Sequence, residues 1–400
     1  MKSPKYLFFI VFFSLPIACI AQDYNLFHQN IEMLYQAKSP EDIDTRWEAF
    51  TKKVSIPYLC EDSAAFFYRG KAESVTWMGD FNGWGYDKSF MNKGTQIPHT
   101  DIWILKAAFP KDARMDYKIV VDEKTWMLDL LNPNQQWSGV GGGSPNSELC
   151  MPYWKKDPIT ISDVSQPHGH LEKDILINSK NLGYQITYSV YLPVGYTASQ
   201  RYPVVYALDG YEYMHERMGN MTTVLDNLIN QHKIQPIIVI FMDHREPVNR
   251  SNNRRMMELA MNEKYLMFFT DELIPVVEHQ YPILKDRASR AILGTSMGGL
   301  TAAYFSFSKP EIFGLAGIQS PAFWFKPDIY TFCDNPKNPP LKIFMTTGII
   351  NDAQEGSRKM KTILEKNTCT YQYLEVSQGH SWGNWRDCID DILIYFFPVK

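Results

Sequence analysis

Gly294-Thr295-Ser296-Met297-Gly298-Gly299 decides how the chain is read, because an apolar strand pattern precedes it at residues 289–293 and a helical run rich in Ala, Tyr and Phe follows at residues 300–307. Lys309-Pro310 stops that run, since proline cannot continue a helix. The stretch contains G-x-S-x-G. Between a strand and a helix this pattern places the serine on a tight, strained turn with its oxygen lifted clear of the sheet, and the flanking glycines let backbones approach closely. Plain glycine turns produce the same pattern, so the surrounding residues must decide.

A serine hydroxyl is a poor nucleophile near neutral pH and needs an adjacent imidazole, itself oriented by a carboxylate. In α/β-hydrolases the chain order is Ser, acid, His. A single histidine follows Ser296: His380, in Gln378-Gly379-His380-Ser381-Trp382. If Ser296 is a nucleophile of this kind, His380 has to be its base. Asp352 precedes His380 by 28 residues and follows a predicted strand, which makes it the first candidate for the acid, with Asp334 and Glu355 as rivals. A surface-loop role for His380 and a helix-capping role for Asp352 are the bland alternatives. An oxyanion hole needs two backbone N–H groups, each worth roughly 3 to 4 kcal/mol of barrier. Met297, directly after the serine, is one candidate. Tyr211, in Leu208-Asp209-Gly210-Tyr211, is the other, with Gly210 next.

From residue 171 onward strands alternate with helices. Residues 182–192 read as antiparallel edge strands, and 203–208 and 235–242 as buried parallel strands, being near-continuous apolar runs. Helices are expected at 220–232 and 264–280, two further strands at 341–347 and 371–376, and a closing helix at 385–397. This is a doubly wound α/β layout, in which ligands bind at the carboxyl ends of the strands.

Tyr206-Ala207-Leu208-Asp209-Gly210, Met242-Asp243 with Arg255 and Glu258-Leu259 following, Glu272-Leu273-Ile274-Pro275, the Gly294–Gly299 turn, and Gln319-Ser320-Pro321 ahead of Trp324 resemble the enterochelin esterase and esterase D group of α/β-hydrolases. The resemblance spans about residues 171–397. It implies a serine esterase, and feruloyl and acetyl xylan esterases share the group. Arg255, Trp324 and Trp382 are the candidate substrate contacts.

Ahead of this unit, residues 64–68, 74–78, 102–108 and 116–121 read as short strands separated by turn residues, the pattern of a β-sandwich. Trp77-Met78-Gly79-Asp80-Phe81-Asn82-Gly83-Trp84, Tyr117-Lys118 and Trp126-Met127-Leu128-Asp129 resemble the immunoglobulin-like early-set modules of glycogen-branching and glycogen-binding proteins. That resemblance implies sugar binding by Trp84, Lys118 and Trp126, with Asn146 as a fourth. The competing reading makes such tryptophans core or interface residues. Residues 139–144 are glycine-rich but lack the lysine and helix of a phosphate loop, so they read as a turn.

Residues 1–21 read as a secretory signal, with Lys2 and Lys5 before an apolar core, and a lipid anchor at Cys19 is disfavoured by Pro16. Two amphipathic helices, 26–38 and 40–53, form a lead-in to residue 60; the sandwich then occupies 61–155 and the α/β-hydrolase domain 156–400. Export to an oxidising compartment permits disulfides, and Cys60 and Cys150, which bracket the sandwich, are the first candidate pair. Cysteine and histidine spacings match no metal site, so neither metal nor cofactor is expected. The net charge is −4 and no long basic run occurs, which argues against nucleic acid; no later apolar run is long enough for a membrane span.

The leading expectation is an exported serine esterase acting on acyl groups carried by a polysaccharide or a small molecule. A siderophore esterase is the alternative, in which Arg245, Arg250, Arg254 and Arg255 contact an anionic iron chelate. A glycan-binding protein with an inactive hydrolase domain is the alternative outside enzymes.

Overall fold

The computed structural model describes residues 24–139, 144–333, 339–367 and 369–399. The signal segment with Cys19, most of the glycine-rich 139–144 turn and the rival acid Asp334 lie outside the described residues.

Two helices open the described chain, α1 (Tyr24–Tyr35) and α2 (Pro40–Lys53). The Ser39 hydroxyl caps α2 by accepting from the Asp42 N–H, and Pro40, Glu41 and Asp42 suit its positive end. Nine short strands follow: β1 (Tyr58–Cys60), β2 (Ser63–Arg69), β3 (Val75–Gly79), β4 (Thr95–Gln96), β5 (Ile102–Ala108), β6 (Arg114–Val121), β7 (Thr125–Met127), β8 (Gln135–Trp137) and β9 (Pro145–Cys150). They form one sheet in the order β1-β2-β5-β4 and another in the order β3-β6-β9-β8, with β7 on β6. Phe66 and Leu105 of the first sheet meet Trp77, Met115, Tyr117, Ile119 and Leu149 of the second, so the two close as a sandwich. The next residue along, Phe67, faces the other way and packs with Phe27, Trp47 and Phe50 of the helices. Covering both faces of the first sheet explains why β2 is apolar without alternation, each buried aromatic being worth about 1.5 to 3 kcal/mol.

Cys60 and Cys150 are not joined. Cys60 lies among the residues packed under the helices, whereas Cys150 ends a strand of the opposite sheet beside Arg114, so the sandwich separates the expected partners.

The second unit is built on eight strands: β10 (His170–Asn178), β11 (Gln185–Leu192), β12 (Val204–Ala207), β13 (Ile238–Asp243), β14 (Arg290–Thr295), β15 (Leu315–Gln319), β16 (Lys342–Gly348) and β17 (Thr370–Val376). Their order is β10-β11-β13-β12-β14-β15-β16-β17, antiparallel at the first two pairings and parallel from β13 onward. Both faces are buried: Val204, Tyr206 and Ile240 lie in one core and Val205, Ala207 and Val239 in the other. The helices are α3 (Gly210–Met214), α4 (Met221–Asn230), α5 (Arg255–Glu258), α6 (Glu263–Met267), α7 (Ile274–Gln280), α8 (Met297–Ser308), α9 (Ile329–Cys333), α10 (Gln354–Lys366), α11 (Trp382–Arg386) and α12 (Ile389–Phe396).

Several elements differ from expectation. The edge strand begins at His170, carries Glu172, Lys173 and Asp174, and is interrupted by a bulge between Glu172 and Ile175, all of which hide its period. The strand β15, Leu-Ala-Gly-Ile-Gln, is not among the expected elements, being short and containing glycine. The helix expected at 264–280 is interrupted by a π-helical stretch, Phe268–Leu273, leading into α7 with Pro275 in its first turn. The single closing helix is two, divided at Asp387-Cys388.

Candidate active site

Four of the parallel strands are followed, within three residues, by a residue with left-handed φ: Asp209 after β12 (φ 57°), Ser296 after β14 (57°), Ser320 after β15 (39°) and Asn351 after β16 (46°). Each turns the chain sharply at the carboxyl edge of the sheet, where the site assembles. Ser296, with ψ −114°, occupies a region costing a non-glycine residue on the order of 1 to 3 kcal/mol. Its neighbours hold it there. The Ser296 N–H donates to Gln319 O at 2.9 Å, and Ser296 O accepts from Ala322 N at 2.9 Å and Leu300 N at 3.0 Å. A β-carbon at Gly294 would run into the Gly298 backbone, so glycine is required by close approach.

The structure brings Ser296, His380 and Asp352 together. His380 Nε2 lies 3.0 Å from Ser296 Oγ, and His380 Nδ1 lies 2.5 Å from Asp352 Oδ1. The Asp352 side chain is fully buried while His380 remains 37% exposed, so the carboxylate is sequestered and the imidazole is open to solvent. Four donors converge on the second carboxylate oxygen: Ser320 Oγ at 2.6 Å, Gly348 N at 2.5 Å, Thr347 Oγ1 at 3.2 Å and Asn384 Nδ2 at 3.3 Å. They leave Oδ1 for the imidazole. The Trp385 ring stands edge-on to His380 at 4.9 Å. Such a chain lets the imidazole accept the serine proton while the carboxylate fixes its tautomer. Glu355, the rival acid, is exposed at the start of α10.

Met297 and Tyr211 stand in the first turns of α8 and α3, where N–H groups have no intrahelical acceptor. The two helix starts abut, since a β-carbon on Gly298 would lie 2.8 Å from Asp209 Oδ2. Arg255 braces this junction. Its Nε lies 2.5 Å from Asp209 Oδ1 and one terminal nitrogen 2.9 Å from Oδ2, while that nitrogen also reaches Thr295 O at 3.3 Å. The sequence offers it as a substrate contact, and in the structure its donors tie the segment after β12 to the end of β14. Beneath it His244 Nδ1 contacts Glu258 at 2.5 Å. Burial alone would lower the His244 pKa, but the Glu258 carboxylate outweighs burial and raises it. Asp209, His244 and Glu258 escaped the sequence reading as site residues because their partners are distant in the chain.

Trp382 requires a correction. It is only 2% exposed, donates its indole N–H to Glu212 Oε2 at 3.0 Å and packs edge-on against Tyr213 and Trp385. A core position keeps it from any substrate. Its partner Glu212 does line a cavity, with its carboxyl pushed up to about 7 by burial and then by Asp209. Trp324, the third candidate, is 74% exposed.

Two cavities flank the site. One, of about 550 Å³, lies beside Tyr211 and is lined by Glu212, Met218, Asp243, Arg245 and Arg250. Its arginines are paired: Arg245 with Asp243 at 2.9 and 2.7 Å, and Arg250 with Asp243 and Asp174 at 2.6 Å each. Arg245 also covers the Tyr211 ring, and Arg254 is bound to Glu246. The other cavity, of about 790 Å³, begins at Asp352 and Pro321 and runs between Trp324 and Tyr330 on one side and Gly83, Tyr86 and Asp87 of the sandwich on the other.

Within the sandwich, Trp84 donates its N–H to Asp80 Oδ1 at 3.0 Å. Lys118 and Trp126 share the outer face of the second sheet, since Trp126 pairs with Val120 two residues beyond Lys118. Trp126 is half exposed, and Asn146 is buried with its amide on Asp116. Among the described residues, no group of His, Cys, Asp or Glu is arranged to hold a metal ion, and no helix is long and apolar enough to cross a membrane.

Residues 179–396 match the family model described as "Putative esterase", which covers more than half of the chain. The chain belongs to this esterase family. Its relatives include an endo-1,4-beta-xylanase/feruloyl esterase from Xylanibacter ruminicola, 28% identical over 236 residues that make up 56% of this chain and 31% of that protein. An iron(III) enterobactin esterase from Escherichia coli K12 is 30% identical over 191 residues, 48% of this chain and 45% of that one. The match thus takes in less than half of either relative. In structure the chain is similar to the enterobactin esterase from Shigella flexneri, with a TM-score of 0.67 at 20% identity, covering 84% of this chain and 92% of the other. The fold of the esterase family member is therefore that of an enterobactin esterase-like α/β-hydrolase, and the likeness extends beyond the hydrolase unit into the strands ahead of it.

Proposed function

We propose that this esterase-family protein is a serine carboxylic-ester hydrolase whose nucleophile, base and acid are Ser296, His380 and Asp352. The unbroken chain of contacts, 3.0 Å from Ser296 Oγ to His380 and 2.5 Å from His380 to Asp352, carries the reading. Ser296 Oγ attacks the ester carbonyl carbon as its proton passes to His380 Nε2. The carbonyl oxygen becomes an oxyanion and takes hydrogen bonds from the N–H groups of Met297 and Tyr211. Collapse breaks the bond to the alcohol, which leaves with the proton from His380, and an acyl group remains on Ser296. Water then attacks that acyl group, giving its proton to His380, and the acid departs as serine is restored.

The substrate class we favour is an acyl ester carried by a polysaccharide, handled outside the cytoplasm after removal of residues 1–21. Two observations support it beside the feruloyl esterase relative. The 790 Å³ cleft starts at the proposed acid and presents Trp324 and Tyr86, the latter 91% exposed, as flat surfaces on which a sugar chain or phenolic ring can stack. The arginines of the other cavity are neutralised by Asp209, Asp243 and Asp174, which leaves little excess positive charge for an anionic iron chelate.

A hydrolysis panel of methyl ferulate, acetylated xylan and ferric enterobactin, run beside fluorophosphonate labelling, tests both levels. Labelling at Ser296 with turnover of either of the first two is expected. Turnover of ferric enterobactin alone would move the substrate to siderophores. An unlabelled, folded protein would instead favour a glycan-binding role.

A further inference from the structure

The loop that carries His380 is held from the sandwich. Arg114, the first residue of β6, has a completely buried side chain. Its guanidinium is matched by Asp116 Oδ1 at 2.8 Å and Glu148 Oε1 at 2.6 Å, and the remaining terminal nitrogen donates to Ser381 Oγ at 2.8 Å. Ser381 is the N-cap of α11, where a hydroxyl ordinarily accepts from its own helix; here it makes no such cap bond and accepts from Arg114. The backbones join as well, with Arg114 N donating to Ser377 O at 3.1 Å and Arg114 bridging to Gln378. A β-carbon at Gly383 would overlap the guanidinium, and one at Gly379 would overlap Asp80. Asp80 is itself fixed, Oδ2 accepting from Asp116 N at 2.8 Å and its backbone oxygen accepting from Asn351 Nδ2 at 3.1 Å.

Both chain neighbours of His380, and the residue before Asp352, are therefore seated on one surface of the sandwich. A fully buried guanidinium is costly unless its hydrogen bonds are met by well-placed partners, so its direction is closely defined. We infer that Arg114, which touches no reacting atom, is a positioning residue for His380, and that the sandwich is a structural half of the hydrolytic site and not only an appended module. This rests on the proposed roles of Ser296 and His380.

The test uses the full-length protein and methyl ferulate, with the folded fraction counted by fluorophosphonate titration. Ser381→Ala removes the acceptor without stranding a buried carboxylate. It should lower kcat by about 10- to 100-fold with KM changed less than twofold, and Ser381→Thr, which keeps a hydroxyl, should recover to within about threefold of wild type. Arg114→Gln should lower kcat too, and combining it with Ser381→Ala should add little, since both break one link. A merely structural role would lower the melting temperature while leaving kcat per titrated site unchanged. That result, or full additivity of the two substitutions, would overturn the inference while leaving the hydrolase reading intact. A wild-type protein that neither labels nor hydrolyses would sink both.

Discussion

Replacing Asp352 by Asn should convert the site from a working relay into a blocked one with almost no change in shape. Ser320, Thr347, Gly348 and Asn384 all donate to Oδ2 of Asp352. In the variant, the amide oxygen has to occupy that position, because an NH₂ group placed there would face the Gly348 N–H and the Asn384 amide NH₂, which can only donate, at about 1 to 3 kcal/mol for each buried donor left unpaired. The NH₂ group then faces His380 Nδ1, which can only accept. The imidazole proton is driven to Nε2, which now points a hydrogen at Ser296 and cannot take one from it. Loss of the correct tautomer is worth on the order of 10⁴ in kcat, or about 5.5 kcal/mol of barrier. Steady-state hydrolysis of methyl ferulate together with a thermal melt provides the assay. A kcat within tenfold of wild type, with the variant folded, would refute the argument that the donor cluster sets the direction of the carboxylate.

Ser296→Ala should abolish turnover by roughly 10⁴-fold or more while retaining the fold, checked by kinetics and circular dichroism. Trp324→Ala and Tyr86→Ala should each raise KM for an oligosaccharide-borne ferulate by about tenfold and leave methyl ferulate within twofold; equal effects on both esters would remove the cleft from sugar binding. Asp390 has its carboxyl raised to about 7 by burial, then by Asp391 and Asp157. Its folded pKa exceeds the unfolded 3.8, so the native state holds the extra proton, and stability falls as pH rises through roughly 4 to 7. Asp390→Asn should therefore raise stability at pH 8 by up to about 4 kcal/mol and change little at pH 4, read from chemical denaturation at the two pH values.

The three residues that meet at 296, 352 and 380 were legible in the sequence for a specific reason. G-x-S-x-G is a local pattern, and a single downstream histidine leaves no choice of base. Asp352 was legible by its place after a strand. The braces were not, because Arg114 and Ser381 are 267 residues apart and nothing near either predicts the other. Trp382 is a related case: it lies two residues from His380, but nearness in the chain does not say which way an indole points, and Glu212 and Tyr213 draw it inward. Strands buried on both faces were visible as continuous apolar runs, whereas β10, polar and bulged, and β15, short and glycine-containing, gave too weak a period. Cys60 and Cys150 were matched on chain position alone, which takes no account of the two sheets that part them.

The left-handed serine at the end of β14 also bears on how such an enzyme decays. Glycine adopts that conformation without strain, so Ser296→Gly should melt higher than wild type even as it ends turnover. Selection for robustness alone would thus erode this protein toward an inert scaffold. A thermostability campaign that never screens for hydrolysis is expected to enrich that loss at codon 296.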